Sequence, residues 1–290
     1  MNKFWNCLRL NLRMGKLALN NCWLGQKDYA ASYDRLASSY DREWLTQLQP
    51  VTEQLLEHLP ELACKRIFDL GCGTGYTTAN LRKKYPEATI TGVDISNGML
   101  AAAKFRCPEA EFKQDDLLDF LKKQTAGEID LIVSAWAIGY SRPAAVIAEC
   151  ARTLRPGGAF CFVVNYFDTL KPVFNAFRYC MQYYPERIDL ALWPRFPRNR
   201  QDLETPLRDS GFTPEWTDEG NIPIAPPDGN PASLEWLLQT GVLAGFDQVM
   251  PLRDDPELAE LFNRKLVEQP EPICHHYYAG IFSKGNQKES

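Results

Sequence analysis

The most informative stretch of this chain is Ile67-Phe68-Asp69-Leu70-Gly71-Cys72-Gly73-Thr74-Gly75. Its first four residues predict a short buried strand, and a helical pattern begins near Tyr76. Glycines at every second position allow positive φ angles and let a ligand come close to the backbone. The helix that follows presents unpaired N–H groups at its start. A strand, a glycine turn and a helix in this order predict a nucleotide-binding site.

The spacing of the glycines indicates which nucleotide would bind. A dinucleotide site has the pattern Gly-x-Gly-x-x-Gly, whereas here the third glycine comes one residue earlier and Asp69 precedes the first. A carboxylate beside the turn disfavours a phosphate and favours a cationic group such as an amino-acid ammonium. The nonapeptide resembles the first motif of the class I S-adenosylmethionine (SAM) dependent methyltransferases. A dinucleotide site and a plain strand–helix turn are the alternatives.

A second acid follows one βα unit later. Thr89–Asp94 reads as the next strand, and Asp94 ends it. The second strand of a doubly wound sheet ends beside the first, so Asp94 can accept hydrogen bonds from both hydroxyls of a ribose. Two motifs at this separation favour a nucleotide site more strongly than either motif alone.

The family resemblance implies the remaining cofactor contacts. Asp69 and the Gly71, Gly73 and Gly75 backbone would hold the methionine moiety, and Asp94 would hold the ribose. Asp116 would accept the adenine amino group, with Asp115 as the alternative one position earlier. An acidic helix start that binds no ligand is the other interpretation of this pair. Further implied cofactor contacts are Ile95, Met99, Leu117 and Ser134.

A segment ahead of the glycine turn resembles the N-terminal lid of many small-molecule methyltransferases. It contains Tyr-Asp twice, at Tyr33 and at Tyr40. In that family the segment folds over the cofactor and a tyrosine lies near the transferable methyl group. Tyr40 fits this place best and is also a candidate catalytic residue. The alternative is an amphipathic helix with aromatic anchors.

The whole pattern predicts an α/β fold. We expect a Rossmann-like, seven-stranded, mostly parallel sheet with helices on both faces, an antiparallel last strand and helical cap insertions. The sixth strand would begin near Phe212, the seventh would span His275–Phe282, and a helix would span Leu234–Phe246. The expected segments are a basic extension (1–27), lid helices (28–60), the SAM-binding core (61–165), a cap insertion (166–205), and the rest of the core (206–290) with a second cap insertion at about 222–268.

Aromatic residues mark the candidate acceptor site. Trp136 and Tyr140 follow the fourth strand, at the edge where ligands of such sheets bind, and an aromatic face attracts the positive sulfonium. They can equally be core anchors of a loop. The two insertions are rich in aromatic residues and predict a closed apolar pocket, although these residues can also hold the caps to the core. The candidate substrate contacts are Trp136, Tyr140, Tyr166, Tyr183, Trp193 and Trp236.

An oxygen or carbon acceptor can require a general base, whereas an amine needs only a free lone pair. The candidate histidines are His275 and His276, which we expect in the last strand with one side chain facing in and one facing out. Comparable candidates are Tyr33, Tyr140 and Glu235. The histidine and cysteine spacings spell no zinc site, and no metal is expected.

Composition excludes several classes of protein. The net charge of −5 argues against a nucleic-acid partner. The nine cysteines are scattered without a Cys-x-x-Cys pair, which is typical of reduced thiols and predicts a cytoplasmic protein. No apolar run approaches the roughly 18 residues of a membrane span, so stable membrane insertion is not expected.

The first 27 residues are basic, with Lys3, Arg9, Arg13 and Lys16 among them and no acid. Tryptophans and leucines are interspersed, as in a transit peptide or an interfacial helix. A weakly ordered extension, or a true start nearer Met14, is the favoured interpretation.

The resemblance implies methyl transfer from SAM to a nitrogen or oxygen atom of a hydrophobic or aromatic small molecule of natural-product type. One alternative is a C-methyltransferase of a quinone or lipid at a membrane surface, for which the basic N-terminal segment would serve. A non-catalytic SAM-binding module is the other alternative, and the intact cofactor motifs argue against it. The acceptor and the oligomeric state stay open, because fold and cofactor do not name a substrate.

Overall fold

A computed structural model describes residues 3–193 and 195–285 of the chain. The strands are β1 (Arg66–Leu70), β2 (Thr89–Asp94), β3 (Glu111–Gln114), β4 (Ile129–Ala135), β5 (Leu154–Asn165), β6 (Phe212–Pro223) and β7 (Cys274–Lys284). The α-helices are α1 (Lys3–Leu19), α2 (Gln26–Leu36), α3 (Thr46–Glu57), α4 (Tyr76–Lys84), α5 (Asn97–Arg106), α6 (Leu117–Lys122), α7 (Pro143–Thr153), α8 (Lys171–Tyr183), α9 (Gln201–Asp209), α10 (Leu234–Leu237) and α11 (Pro256–Val267).

The chain forms two compact units. Unit 1 consists of the described residues of Met1–Trp44, Leu170–Trp193 and Ile222–His275. Unit 2 consists of the described residues of Leu45–Thr169, Pro194–Asn221 and His276–Ser290.

The sheet has the strand order β3-β2-β1-β4-β5-β7-β6. Strands β1 to β5 pair in parallel, and β7 runs antiparallel to β5 with Asn165 opposite Tyr277. This confirms the predicted Rossmann-like sheet with seven strands. The strand order reverses between β1 and β4, and ligands of such sheets bind at the carboxyl ends of the strands beside this point. The glycine turn after β1 lies at that position.

The central strands are mostly apolar and buried, as expected where helices cover both faces of a sheet. Ile67 to Leu70 are all buried. One face carries a continuous cluster that includes Phe160 and Phe162 of β5 and Phe282 of β7, and apolar residues of α6, α7 and α9 complete it. This packing holds the carboxyl ends of β1, β4 and β5 in fixed positions.

Unit 1 contains the second predicted cap insertion, most of the first one and the part of the predicted lid up to Trp44. The Ser32 hydroxyl and the Arg35 guanidinium of α2 both donate to Asp247, each at 2.6 Å. Helix α8 packs against α1 and α11. Of the predicted first insertion, Leu170–Trp193 falls in this unit.

Helix α3 belongs to unit 2, although it was predicted as part of the lid. Leu48, Val51 and Leu55 are buried, and the Thr52 hydroxyl accepts a hydrogen bond from the Trp136 indole at 3.0 Å. This apolar face and the indole contact attach α3 to the sheet.

The expectation of a weakly ordered N-terminal extension is wrong, because Lys3–Leu19 is one continuous helix. Asn6 and Leu17 are buried, and the Arg13 guanidinium donates to the Ile188 carbonyl with its Nε at 2.9 Å. A helix with such a packed side has the tertiary support that an isolated helix lacks.

The predicted helix Leu234–Phe246 is also wrong, because α10 ends at Leu237 and turns follow. Gly245 adopts φ +83, a conformation that ends a helix. At Gly241, a Cβ atom would lie 2.4 Å from Nε1 of Trp44. The glycines of this stretch therefore permit close packing rather than a helix.

The nine cysteines are free thiols, six of them buried. Among the described helices, none has the length and apolar character required to cross a bilayer.

Candidate functional site

The glycine turn joins β1 to α4, as predicted. Gly71, Gly73 and Gly75 have φ angles of 71°, 52° and 80°. A Cβ on Gly71 would lie 2.2 Å from the Ala137 side chain, and one on Gly75 would lie 2.9 Å from the backbone of Ala103. These two glycines are therefore required by packing within unit 2.

Gly73 differs from Gly71 and Gly75, the other two glycines of the turn. Apart from Gly73 itself and its chain neighbours Cys72 and Thr74, no heavy atom of the described residues lies within 4 Å of the point where its Cβ would be. Its backbone therefore borders open space at the carboxyl edge of the sheet. This is the point of the turn at which a ligand can contact the backbone directly.

Asp94 lies directly beside this open glycine. Its Oδ2 accepts the Gly73 N–H at 2.9 Å, and its Oδ1 accepts the Ser96 N–H at 2.9 Å. The side chain is partly exposed at the end of β2. The two motifs predicted to share a site are in contact, and both carboxylate oxygens are oriented by backbone donors.

Asp69 lies beneath the turn and does not line the open space, since it is only 1% exposed. The Thr78 hydroxyl of α4 donates to its Oδ2 at 2.6 Å, and Oδ1 has no hydrogen-bond partner among the described residues. Burial, with a smaller contribution from Asp94, raises the pKa of Asp69 to about 7 against the lowering effect of the Thr78 hydrogen bond. No positive charge of the described residues is among the causes that act on this pKa, and a cationic ligand group above the turn would favour the carboxylate form.

The two acids after β3 have different partners. Asp116 caps α6, because its Oδ1 accepts the N–H groups of Leu118 and Asp119 at 2.9 and 3.0 Å. Asp115 forms an ion pair with Lys123 at 2.5 Å. One oxygen of Asp116 is thus used as a helix cap, and its contact with adenine stays a prediction. Both acids lie at the same edge as Asp94, whose carbonyl accepts the Asp115 N–H at 3.1 Å.

The other four residues implied as cofactor contacts differ in their exposure. Ile95 is partly exposed next to Asp94, whereas Met99 is 1% exposed and Leu117 is 7% exposed. Ser134 is fully buried and donates to the Leu70 carbonyl at 2.8 Å. The Ser134 hydroxyl is therefore used to join β4 to β1, and Ile95 is the member of this group with a side chain at the edge.

Trp136 stands out at the end of β4. It has φ +68, which is unusual for a bulky residue and recurs at functional sites. Its indole donates to Thr52, and its ring lies 6.0 Å from the Tyr277 ring in an edge-on arrangement. The sequence reasoning did not identify Thr52 or Tyr277. Tyr277 could have been found by pairing the predicted last strand with the fifth.

The remaining aromatic candidates divide by environment. In unit 2, the Tyr140 ring packs edge-on against Phe196 at 5.4 Å, and Tyr166 is 1% exposed within the core cluster. Tyr166 is therefore a core anchor rather than a substrate contact. Its pKa is raised by burial and by the Glu219 carboxylate.

In unit 1, Tyr183 and Trp193 are 41% and 76% exposed. Trp236 is buried and lines an open cavity of ≈ 310 Å³ together with Glu43, Glu235 and several prolines. These three side chains therefore differ in exposure, and the closed apolar acceptor pocket under the insertions stays a prediction.

The candidate catalytic residues occupy three environments. Tyr33 and Tyr40 form an edge-on pair at 6.2 Å in unit 1. His275 is 2% exposed and packs on Trp44, and burial lowers its pKa to about 3, so it is neutral at pH 7 and a poor base. His276 is partly exposed in unit 2. The prediction of one inward and one outward histidine is confirmed.

His276 has acidic neighbours at both ring nitrogens. Its Nδ1 lies 2.7 Å from Asp168 and its Nε2 lies 3.8 Å from Glu219. The ring also packs on Tyr166 at 4.6 Å. Tyr277, the next residue, faces Trp136 on the other side of the strand.

Comparison with known proteins identifies the class. Residues 67–158 match the family model described as a methyltransferase domain. The chain is 34% identical over 127 residues to a malonyl-[acyl-carrier protein] O-methyltransferase of Dechloromonas aromatica, a match that covers 44% of this chain and 46% of the relative. It is 36% identical over 199 residues to a trans-aconitate 2-methyltransferase of Deinococcus radiodurans, covering 67% of this chain and 65% of the relative.

A solved structure shows the same fold. It is the methyltransferase in a complex with the Trm112 methyltransferase activator of Haloferax volcanii, with a TM-score of 0.54 and 21% identity, and the match covers 91% of this chain and 99% of that chain. The family match and this fold support a class I SAM-dependent methyltransferase domain that includes residues 67–158. The matched regions span about half the length of the first relatives, between 44% and 53%.

Proposed function

We propose that this chain is an enzyme that transfers a methyl group from SAM to a nitrogen or oxygen atom of a small molecule. The observation that carries the proposal is the contact between Gly73 and Asp94. It joins the turn that would face the methionine moiety to the acid that would accept the ribose hydroxyls.

The residues at this edge fit SAM chemically. The open space at Gly73 gives the backbone access that a bound ligand requires. Asp69 lies beneath it with an uncompensated buried carboxyl oxygen, and the ligand's ammonium would favour its carboxylate form. Asp94 offers two oriented acceptors for a diol, and Ile95 offers an apolar side chain beside it.

When bound, SAM supplies a methyl group that its sulfonium already activates. The chain's own contribution is to hold and align the reactants and to exclude water. Trp136 is suited to this role because its left-handed backbone is held by the Val163 carbonyl at 2.7 Å and its indole by Thr52. The ring is thereby fixed beside Tyr277, and these aromatic faces suit both a sulfonium and the apolar part of an acceptor.

The acceptor that fits best carries its own nucleophilic lone pair, as a carboxylate oxygen or a free amine does. His275 is a poor base, and such an acceptor does not require a histidine to remove a proton. The name of one relative supports an oxygen acceptor, since it specifies O-methylation of malonyl-[acyl-carrier protein], and the name of another specifies trans-aconitate, a carboxylic acid. The net charge of −5 favours a small molecule over a nucleic acid.

The proposal is tested by incubating the full chain with SAM labelled in the methyl group. Amines, carboxylic acids, phenols and quinones serve as separate acceptor sets, and the Asp94→Ala variant is the matched control. We expect label in an amine or a carboxylic acid with the wild-type chain and a loss of at least about tenfold with the variant. Label on a quinone carbon would favour C-methylation instead. Bound SAM without transfer to any acceptor would favour a binding module.

A further inference from the structure

Helix α1 packs within unit 1 through one side only. Asn6 and Leu17 are buried. Between them on the same side, Arg13 donates to the Ile188 carbonyl. Residues at this spacing lie on one face of a helix. The opposite face of α1 therefore carries other side chains.

That other face is apolar and exposed. Trp5 is 58% exposed, Leu8 38%, Leu12 65% and Leu19 91%. The spacings of three, four and seven residues place all four side chains in one stripe along the helix. We call Trp5, Leu8, Leu12 and Leu19 the α1 stripe. A contiguous exposed stripe of large apolar residues, unlike scattered single ones, marks an interaction surface.

The charges of α1 indicate what the stripe contacts. The helix contains Lys3, Arg9, Arg13 and Lys16 and no acid, although the whole chain has a net charge of −5. Arg9 forms an ion pair with Glu186 at 2.8 Å, and Arg13 donates a hydrogen bond to the Ile188 carbonyl. Lys16 is exposed, and it lies next to the stripe between Leu12 and Leu19. An acid-free helix with tryptophan and leucine on one face and lysine beside them is typical of helices that lie in a lipid–water interface.

We propose that α1 binds the surface of an anionic lipid bilayer, with the α1 stripe in the headgroup–acyl boundary and Lys16 directed at the lipid phosphates. The helix lies in the interface and does not span the bilayer, in keeping with the lengths of the described helices. Charge complementarity favours this occupant over a second copy of the chain, because two basic helices repel each other and an anionic surface neutralises them. This inference depends only on α1 and is independent of the proposed methyl transfer.

The experiment is co-sedimentation of the full chain with two kinds of vesicle, one of phosphatidylcholine alone and one containing about 30% phosphatidylserine to supply negative surface potential. We expect binding to the anionic vesicles and a marked loss of that binding at about 0.5 M salt, where charges are screened beyond a few ångströms. The Leu12→Ser/Leu19→Ser variant should bind about tenfold or more weakly, since two apolar side chains leave the bilayer. Lys16→Glu should weaken binding to anionic vesicles and leave neutral vesicles unaffected.

Matched controls are available on other helices. Phe105 of α5 is 93% exposed and Val267 of α11 is 75% exposed, so Phe105→Ser and Val267→Ser remove exposed apolar groups outside the α1 stripe. Both controls should bind vesicles as the wild type does. Because the altered residues are exposed, all variants should keep the wild-type circular dichroism spectrum and thermal midpoint.

Three results would overturn the proposal. One is failure of the folded wild-type chain to bind anionic vesicles. Another is equal weakening by the control substitutions. The third is a dimer that sedimentation velocity detects without lipid and that the Leu12→Ser/Leu19→Ser substitutions dissociate. Such a dimer would assign the α1 stripe to contact with a second copy of the chain.

Discussion

The backbone N–H of Gly73 donates to Oδ2 of Asp94 at 2.9 Å. The two residues belong to successive βα units, so their contact depends on the parallel pairing of β1 and β2. The hydrogen bond fixes the carboxylate before any ligand arrives, which reduces the free energy required to order the site on binding. The following predictions test this arrangement.

Gly73→Ala tests whether SAM binding requires the open space beside Gly73. The substitution places a methyl group in the open space beside the turn and forces alanine into φ +52, which costs about 1 kcal/mol of stability. SAM affinity should fall by at least about tenfold, because the methyl group occupies space that the ligand requires. Isothermal titration calorimetry measures the affinity, and thermal unfolding measures the stability.

Gly211→Ala is the matched control for this strain. Gly211 has φ +81, and its Cβ would also meet no described heavy atom within 4 Å. It lies before β6, outside the glycine turn. The control should lose similar stability and keep wild-type SAM affinity. Equal losses of affinity in both variants would mean that Gly73 acts only through the fold.

Asp69 should make SAM binding depend on pH. Its pKa of about 7 in the free chain means that it is mostly protonated at pH 6, and a cationic ligand group would favour the carboxylate form. Affinity should therefore rise as pH increases from about 5.5 to 7, by up to tenfold per pH unit. Asp69→Asn removes the charge and should flatten this dependence. A wild-type affinity that is constant over this range would contradict the assignment.

The same residue should influence stability. Its folded-state pKa of about 7 exceeds the usual 3.8, so the folded chain retains a proton that the unfolded chain has lost between these values. The stabilisation is complete below about pH 4 and is lost as pH rises through about 7. Asp69→Asn should thus be more stable than the wild type at pH 8, by about 2–4 kcal/mol. Urea unfolding at pH 4 and pH 8 measures the difference, which should become small at pH 4.

Asp116 can be tested for an adenine contact apart from its role as a helix cap. Serine also caps a helix, whereas alanine does not, and losing the cap costs about 1 kcal/mol. Asp116→Ser should keep the unfolding free energy near the wild-type value and still weaken SAM binding by about fivefold or more, because the carboxylate acceptor for the adenine amino group is gone. If Asp116→Ser binds SAM as the wild type does, Asp116 is only a cap.

The core strands and the residues expected to bind the cofactor could be predicted from the sequence, because they depend on local and periodic features. The buried strand, the glycines with positive φ and the acid ending β2 each follow from short-range rules. The same rules could not separate Gly73 from Gly71 and Gly75. That distinction depends on Ala137 and Ala103, which the fold brings to two of the three glycines.

Unit 1 could not be predicted to the same degree. Its helices are stabilised by distant partners, as α2 is by Asp247 and α1 by Ile188. Helical periodicity over Leu234–Phe246 was overridden by close packing at Gly241. Strand alternation predicts that one of His275 and His276 faces inward, but which one is buried and which one faces two carboxylates depends on the tertiary packing.

If Asp94 and the glycine turn bind SAM, removal of the Asp94 carboxylate must weaken SAM binding while removal of a carboxylate elsewhere must not. Isothermal titration calorimetry compares SAM binding by the wild type, Asp94→Ala and the control Asp119→Ala, whose carboxylate forms a surface ion pair with Lys122. Loss of a charged hydrogen-bond acceptor costs about 1.5–3 kcal/mol, so Asp94→Ala should bind about 10- to 150-fold more weakly while Asp119→Ala binds normally. An Asp94→Ala affinity within about threefold of the wild type, or no SAM binding by the folded wild-type chain, would contradict the claim.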